Sequence, residues 1–529
     1  MLRSSLILTV STVIFASSAT AQDPFVPSER WTAAPADQGP DWTPEDVRFA
    51  GSGAFIWTSL RGGPDTLHVY DSVAGGATQA RAIVPRGATE FGVAQLAAGS
   101  RGDRIYSLRQ GEAPTPFSRM AVIEAFDPRS ASGGSTMTSS WMHDMGARIN
   151  GPVKIATDSA GDLVVGALWN NTIARVQIDV LNGTDGTVRS STLLPAIGLS
   201  ALDVSADGTR IAVACGLTLY VLDASGQLLH TEDLNSSTPA LSLSANGSVV
   251  AYGEIGALRA VSDPFGFGYA PSLNVPGSGT VLPTRIDVSA DGTMMAVAWW
   301  DYVSGKSARF QIFDTIFGFA LGELDYPGQS SSRQNLPTSV RISDNGFRAA
   351  FASWGNGQDA EVVLLDAGGF APVMSIDVPG SVRGMDLDAT GTRVALAHKD
   401  VHAQVFGSRG ALRLADTGER SFQVTQTPTL GGGLGLVARA TGATGGFFLL
   451  GPIAQTPLNF PGATGSLLLD RQRLAAFPQP TDATGRMDMV LPIGTDPNLR
   501  GVQLNLQAAF RGPTGLIFSP NLESPFMLD

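Results

Sequence analysis

A twelve-residue segment occurs twice in the chain with ten of its twelve positions unchanged, as DVSADGTRIAVA at 203–214 and DVSADGTMMAVA at 287–298. In both copies an Asp-Gly pair follows one alternating stretch and precedes a run of apolar residues. Asp-Gly favours a tight two-residue turn, and strand-forming residues on both sides of it predict a β-hairpin. Because the apolar run has no polar face, other sheets must cover the hairpin on both sides, and internal repetition supplies them.

Two series of residues count the repeats. The turn glycines, spaced 39 to 59 residues apart, are Gly53, Gly102, Gly161, Gly208, Gly247, Gly292, Gly346 and Gly391. The aspartates expected to close the third strand of each unit are Asp71, Asp127, Asp179, Asp223, Asp263, Asp314, Asp366 and Asp416. A period of this length with about four short strands per unit predicts an all-β protein built on an eight-bladed β-propeller. Seven blades is the alternative, if the first unit is a partial blade that completes the last.

The repeat also carries a resemblance to known families. The pattern DVSADGTxxAVA, followed by a strand of the form xVxxD and a Gly-containing turn, resembles bacterial WD40-like and YVTN or lactonase-like propeller repeats. The resemblance covers residues 47 to about 425. It implies the propeller fold for most of the mature chain.

The rest of the chain divides around this repeat. Arg3, the apolar run 6–16 and the small-residue segment 19–21 predict a secretory signal peptide over 1–21. We expect an entry segment without periodicity at 22–46, the propeller at 47–427, and a small antiparallel β-sandwich at 428–529, where alternating strands continue with a different period. The predicted location is secreted, periplasmic or on the cell surface. No later segment approaches eighteen consecutive apolar residues, so we expect no membrane span.

Composition narrows the possible partners and chemistry. The formal net charge is −12, which disfavours nucleic acid as a partner. Cys215 is the single cysteine, so no intrachain disulfide can form. The sequence contains no HExxH, Walker A, GxSxG or paired CxxC motif, and we expect neither a metal nor a cofactor.

Two groups of residues have side chains that bind metals in other proteins. Asp203, Asp207, Asp287 and Asp291 lack the dense Asp-x-Asp-x-Asp-Gly spacing of calcium loops. We interpret Asp207 and Asp291 as turn residues, and Asp203 and Asp287 as partners of nearby main chain. His398 and His402 have the four-residue spacing of helical zinc ligands, but they fall where a loop between strands is expected.

The repeat also predicts where a binding site lies. In a propeller the first-to-second-strand turns share one side of the ring, and the second-to-third-strand loops lie on the other. There the units stop resembling one another, and the candidate ligand-binding residues are Trp169, Asn170, Glu254, Trp300, Asp301, Trp354 and His398. Tryptophan platforms with interleaved polar groups are typical of sugar or peptide sites. The competing interpretation is that the Trp rings cap the gaps between blades.

Three functions remain open on the sequence. The first is an exported, non-enzymatic propeller that binds an unknown protein or glycan partner, by analogy with other propellers. The second is a lactonase-like or other hydrolase with its site at the channel mouth. The third is a structural cell-surface component without a small ligand.

Overall fold

The computed structural model describes most of the chain between residues 27 and 519. The described residues are 27–34, 42–50, 55–61, 67–72, 78–82, 93–100, 104–112, 119–127, 137–146, 149–170, 173–277, 280–301, 303, 307–326, 335–402, 409–418, 422–426, 428–460, 463–499, 502, 504–513 and 515–519. The predicted signal peptide, Gly53 and Gly102 lie outside them. Among these residues the only helical element is the 3-10 turn Pro497–Leu499, and no helix is long and apolar enough to cross a membrane.

Between residues 28 and 416 the described strands form eight four-stranded antiparallel sheets, numbered here in chain order by their first strands. Sheet 1 consists of Thr43–Ala50, Phe55–Arg61, Leu67–Asp71 and Thr78–Ala82, and sheet 2 of Val93–Ala98, Ile105–Glu112, Arg119–Phe126 and Trp141–Asp144. Sheet 3 consists of Ile149–Thr157, Leu163–Asn170, Arg175–Asn182 and Val188–Leu194, and sheet 4 of Ala201–Val204, Arg210–Cys215, Thr218–Asp223 and Leu228–Asp233. Sheet 5 consists of Leu241–Leu243, Val249–Glu254, Ala257–Ser262 and Ala270–Pro276. Sheet 6 consists of Val281–Val288, Met294–Asp301, Ala308–Asp314 and Phe319–Tyr326, and sheet 7 of Pro337–Ile342, Arg348–Ser353, Val362–Asp366 and Ala371–Ile376.

Sheet 8 joins the two ends of this region. Its first three strands are Val382–Leu387, Arg393–Lys399 and Gly410–Asp416, and its fourth is the early strand Ser28–Ala33. Ser28 pairs in antiparallel register with Asp416, and Ala33 pairs with Leu412. The structure therefore differs from the predicted boundary at residue 47, because part of the expected entry segment completes the last sheet.

The sheets form a closed ring. First strands of neighbouring sheets contact one another in order, and the first strand of sheet 8 contacts that of sheet 1. Eight clusters of buried apolar side chains fill the eight gaps, one between each pair of neighbouring sheets. Each sheet is apolar on both faces because it is covered on both, as the repeat required. The predicted all-β propeller fold is confirmed.

The repeated turn is held by its own side chains. The Ser205 hydroxyl donates to Asp207 (2.7 Å) and accepts from the Arg210 amide (2.9 Å), while Asp207 also accepts from the amide and hydroxyl of Thr209. Gly208 closes the turn by donating to the Ser205 carbonyl, and its φ is 71°. The connection spans five residues, 205–209, rather than the expected two, and it contains a turn with the left-handed glycine at its last position.

These turns also connect the sheets to one another. The Asp207 amide donates to the Ala245 carbonyl of sheet 5, and the Ala245 amide donates in turn to Ala290 of sheet 6. The Ala290 amide continues the series to Asp344, and the Asp344 amide to Ala389. The turns of sheets 4 to 8 thus form a chain of main-chain hydrogen bonds, and the repeated sequence specifies the scaffold.

After residue 418 the strands belong to other sheets. Three sheets are described there: Phe422–Gln426, Gly433–Arg439 and Arg486–Pro492; Ala475–Gln479, Gly446–Leu450, Leu506–Gly512 and Gly515–Phe518; and the pair Ile453–Leu458 and Leu467–Leu469. The three- and four-stranded sheets share one buried cluster that includes Phe422, Phe448 and Phe510. Phe422–Gln426, assigned by the sequence to the propeller, pairs within this region instead.

Candidate functional site

The antiparallel order gives the ring two sides. First-to-second-strand turns and third-to-fourth-strand loops lie on one, which we call the turn side, and second-to-third-strand loops lie on the opposite side. First strands are innermost and surround a central channel. Candidate sites therefore fall into three places: the opposite side, the turn side and the channel.

The three tryptophans of the opposite side occupy equivalent positions. Trp169, Trp300 and Trp354 each follow their turn glycine by eight residues, at or just beyond the end of a second strand. All three are half-buried, and Trp169 packs against the core between sheets 3 and 4. Strand alternation directs Trp300 to the gap between sheets 6 and 7 and Trp354 to the gap between sheets 7 and 8. The rings lie in three separate gaps, as expected if they cap the core.

The polar candidates of the same side differ in exposure. Asn170 and Asp301 are half-buried at strand ends, and Asp301 accepts a hydrogen bond from the Val303 amide (3.1 Å). Their neighbours 171 and 302 lie outside the described residues. Both side chains are partly exposed to solvent.

Glu254 and His398 are buried, each with 1% of its surface exposed. Glu254 accepts from the amide of Asn235 (2.7 Å) and pairs with Arg259 (2.7 Å). His398 accepts from Arg413 Nε (3.1 Å), and burial followed by the Arg413 charge lowers its pKa. Both side chains tie neighbouring segments together. The seven predicted residues are distributed over sheets 3, 5, 6, 7 and 8.

The structure also bears on the metal and thiol candidates. Within the described part of the chain, no three His, Cys, Asp or Glu side chains form a group able to hold a metal ion. Cys215 lies in the core between sheets 3 and 4, and burial raises the pKa of its thiol to about 12. Such a thiol is a small apolar core residue rather than a nucleophile.

The turn side carries a surface that the sequence reasoning missed. Six large apolar side chains are exposed on consecutive sheets 5, 6 and 7, and we call them the aromatic patch. Their exposed fractions are Phe267 92%, Phe265 80%, Phe317 74%, Ile316 67%, Phe347 66% and Phe319 51%. Large apolar side chains exposed together in one region mark interaction sites on soluble proteins.

The patch is held in a defined conformation. In sheet 6 the Asp314 carboxylate accepts from the amides of Ile316 (2.8 Å) and Phe317 (2.9 Å), and the Phe317 and Phe319 rings stack with centroids 6.2 Å apart. In sheet 7, Asn345 accepts from the Phe347 amide (3.0 Å). A surface ordered in advance loses less conformational entropy when it binds.

Carboxylates surround the aromatic patch. The turns and loops that carry or adjoin it contain Asp263, Asp291, Asp314, Asp344 and Asp366. Arg348, which lies at this edge, pairs with Asp366. The patch is therefore apolar at its centre and acidic at its rim.

Two levels of side chains line the channel wall. The upper level, five residues before each turn glycine, is Arg48, Ala97, Ala156, Asp203, Ser242, Asp287, Arg341 and Asp386. The lower level, seven residues before it, is Asp46, Gln95, Lys154, Ala201, Ala240, Arg285, Ser339 and Gly384.

Apart from Lys154, the polar residues of both levels bind the first strand of the next sheet. Asp203 accepts from the Leu243 amide (2.9 Å) and Asp287 from the Ile342 amide (2.8 Å). Asp386 accepts from the Phe49 amide (2.9 Å), which links sheet 8 to sheet 1. The aspartate that opens the repeated twelve-residue segment is thus an inter-sheet connector, and the main chain it binds belongs to the neighbouring sheet.

Burial perturbs these carboxyl groups. It is the largest cause that raises the pKa of Asp203 to about 7 and that of Asp287 to about 6. Amide donors and the charge of Arg341 oppose the shift only in part. A carboxyl group that titrates near neutral pH is typical of functional sites and of buried structural networks alike.

Comparison with known proteins supports the fold. No protein-family model matches the chain, and no curated protein sequence does either. Among solved structures, the Dos1 propeller is similar over 76% of this chain and 97% of its own, with a TM-score of 0.52 and 11% identity. The fold is a β-propeller. Chaetomium thermophilum Sqt1, solved bound to the N-terminus of the ribosomal protein L10, is similar over 73% of this chain and 99% of its own, with a TM-score of 0.52 and 14% identity.

Proposed function

We propose that this WD40-like propeller is an exported, non-enzymatic interaction platform that binds a protein partner through the aromatic patch. The patch on the turn side of sheets 5 to 7 is the observation that carries the proposal. Aromatic side chains dominate the binding energy of protein interfaces when they become buried. The acidic rim favours a partner segment that combines apolar side chains with Lys or Arg.

Two further observations favour a polypeptide over a glycan. The tryptophans expected to form a sugar platform are half-buried in separate gaps, and Glu254 and His398 are already bonded to protein. Sqt1, with a similar fold, was solved with a terminal segment of a protein partner.

The experiment selects peptides that bind the purified protein from a displayed random library and measures their affinities by calorimetry. Phe265→Ser and Phe317→Ser each remove a large side chain that is exposed in the free protein, so they should not disturb the core. We expect each to weaken selected peptides by more than about tenfold, since truncating an interface anchor costs about 2 kcal/mol or more. Ile255→Ser, an exposed apolar residue of the opposite side, is the matched control.

Peptides that bind both patch variants as tightly as the unchanged protein would contradict the assigned surface. A glycan array read with the same proteins tests the alternative. Glycan binding that is lost in Trp300→Ala and kept in Phe317→Ser would favour the opposite side.

We also propose that the chain is exported after removal of residues 1–21, that the eight sheets are eight blades, and that the C-terminal sheets form a β-sandwich serving as a spacer or second contact. The first point is tested by the mass of the mature protein, which should begin at Gln22. The proposed β-sandwich is supported by the C-terminal sheets, because two of them share one buried apolar cluster.

A further inference from the structure

In the part of the chain that the structure describes, two basic side chains of the channel wall have no carboxylate within ion-pair distance. Lys154 is on the first strand of sheet 3 and Arg285 on that of sheet 6, both at the lower level. The intervening sheets place only Ala201 and Ala240 at that level. Between the two cations the wall therefore carries no charged side chain at this level.

The other channel cations are neutralised. Arg341 donates to Asp386 (2.6 Å), and Arg48 lies 3.4 Å from Asp46. In the portion of the chain that the structure describes, neither Lys154 nor Arg285 lies within 4.0 Å of a carboxylate.

The Arg285 guanidinium is held in position by hydrogen bonds that use only some of its N–H donors. Its Nε donates to the Thr338 carbonyl of sheet 7 (2.8 Å), and one terminal nitrogen donates to the Thr284 carbonyl (2.7 Å). A guanidinium has five N–H donors, so most of the fork remains free for a ligand. Solvent reaches this side chain, which is exposed within the channel.

The two cations also act on each other. Burial lowers the pKa of Lys154, and the charge of Arg285 lowers it further. The protein that surrounds Arg285 inside the channel displaces part of its hydration, and this, followed by the charge of Arg341, lowers its pKa. Like charges held together in a channel of reduced dielectric constant repel, and an anion between them removes the repulsion.

We propose that the channel binds a small oxyanion, a carboxylate or phosphate group, between the Lys154 ammonium and the Arg285 guanidinium. Arginine offers a planar fork that matches such oxygens, and lysine adds a point charge. The group belongs either to a free anion or to the acidic side chain of a bound peptide. This inference concerns the channel and is independent of the partner proposed for the turn side.

The test titrates the full-length mature protein with inorganic phosphate and, separately, with a short oligo-glutamate peptide. Calorimetry and thermal unfolding are the readouts, at constant ionic strength set with chloride. Arg285→Gln and Lys154→Gln are compared with Arg309→Gln, which removes an arginine already paired with Asp325 on the outside of sheet 6. We expect at least one probe to bind, with Kd raised at least tenfold in each channel variant and changed less than twofold in the control.

A second readout separates binding from a structural role. Without any probe, Lys154→Gln should melt at the same or a higher temperature than the unchanged protein, because the repulsion is gone. Arg285→Gln also loses its bonds to the Thr338 and Thr284 carbonyls, so it is judged on probe binding alone. Binding of phosphate alone assigns the site to a free anion, and binding of the peptide alone assigns it to an acidic side chain. The proposal is overturned if neither probe binds, or if both channel variants bind as the unchanged protein does.

Discussion

Asp386 holds the point where the ring closes, and its removal gives the strongest stability prediction. The carboxylate accepts the Phe49 amide of sheet 1 (2.9 Å) and Arg341 Nε of sheet 7 (2.6 Å), and only 8% of the residue is exposed. Asp386→Ala removes both bonds at once. It leaves a buried amide and a channel guanidinium without their acceptor.

The magnitude follows from those two losses. An unsatisfied buried amide costs about 1–3 kcal/mol, and a hydrogen bond to a charged group contributes about 1.5–3 kcal/mol. Water in the channel and the nearby charge of Asp287 compensate Arg341 in part. We therefore expect a loss of about 3 kcal/mol in the free energy of unfolding, below the sum of the separate terms.

The assay is urea unfolding followed by tryptophan fluorescence, with the midpoint and slope fitted separately. Asp325→Ala is the matched control, because it removes an exposed carboxylate paired with Arg309 and should cost about 0.5 kcal/mol or less. Asp386→Asn retains one oxygen for the Phe49 amide and should fall between the two. A midpoint for Asp386→Ala within error of Asp325→Ala would refute the assigned role in ring closure.

Three further predictions concern the turn, the channel and the tryptophans. Gly208→Ala should destabilise the protein by about 1–2 kcal/mol in urea unfolding, because φ at 208 is 71°, whereas Gly494→Ala at an unstrained open position should be close to neutral. The free energy of unfolding should fall as pH rises from about 4 to about 7, because the folded protein holds the Asp203 proton to about pH 7 whereas the unfolded chain releases it near 3.8. Asp203→Asn should flatten this part of a profile of melting temperature against pH, and an unchanged slope would contradict the prediction. Trp169→Ala should lower stability by about 2–4 kcal/mol through lost core packing while peptide binding to the aromatic patch stays the same, and the reverse outcome would return the binding role to the opposite side.

The repeated turn could be predicted because its determinants are local. Ser205, Asp207, Gly208 and Thr209 bond to one another within five residues, so the pattern that specifies them is visible in the sequence. The same regularity placed Trp169, Trp300 and Trp354 at one equivalent point on the opposite side.

Features that depend on distant segments could not be predicted in this way. Ser28–Ala33 has no repeat signature, because its pairing partner lies at the other end of the ring. Glu254 is bonded to Asn235, in the connection between sheets 4 and 5, and to Arg259, on the next strand of its own sheet, and its burial depends on both. The role of Asp203 likewise requires the next sheet to be in place.

The aromatic patch was missed for a different reason. Phenylalanines in a β-protein are normally core residues. Taken alone, nothing in the segments PFGFG at 264–268 and TIFGF at 315–319 indicates that their phenylalanines are exposed. The available signal was position. Both segments follow the aspartate near the end of a third strand, which places them in loops on the turn side.

The strand Ser28–Ala33 has a consequence for how the molecule is made. It leaves the ribosome before every other strand of the ring, yet the partner it pairs with, Gly410–Asp416, is synthesised after all the others. Until then seven sheets exist with two uncovered end faces, and the early segment has no edge on which to dock. Final closure must wait for nearly the whole ring, and pairings so distant in sequence are slow to form. During that interval the first and last sheets each have one apolar face uncovered. A chaperone that covers these faces would act between sheets 8 and 1.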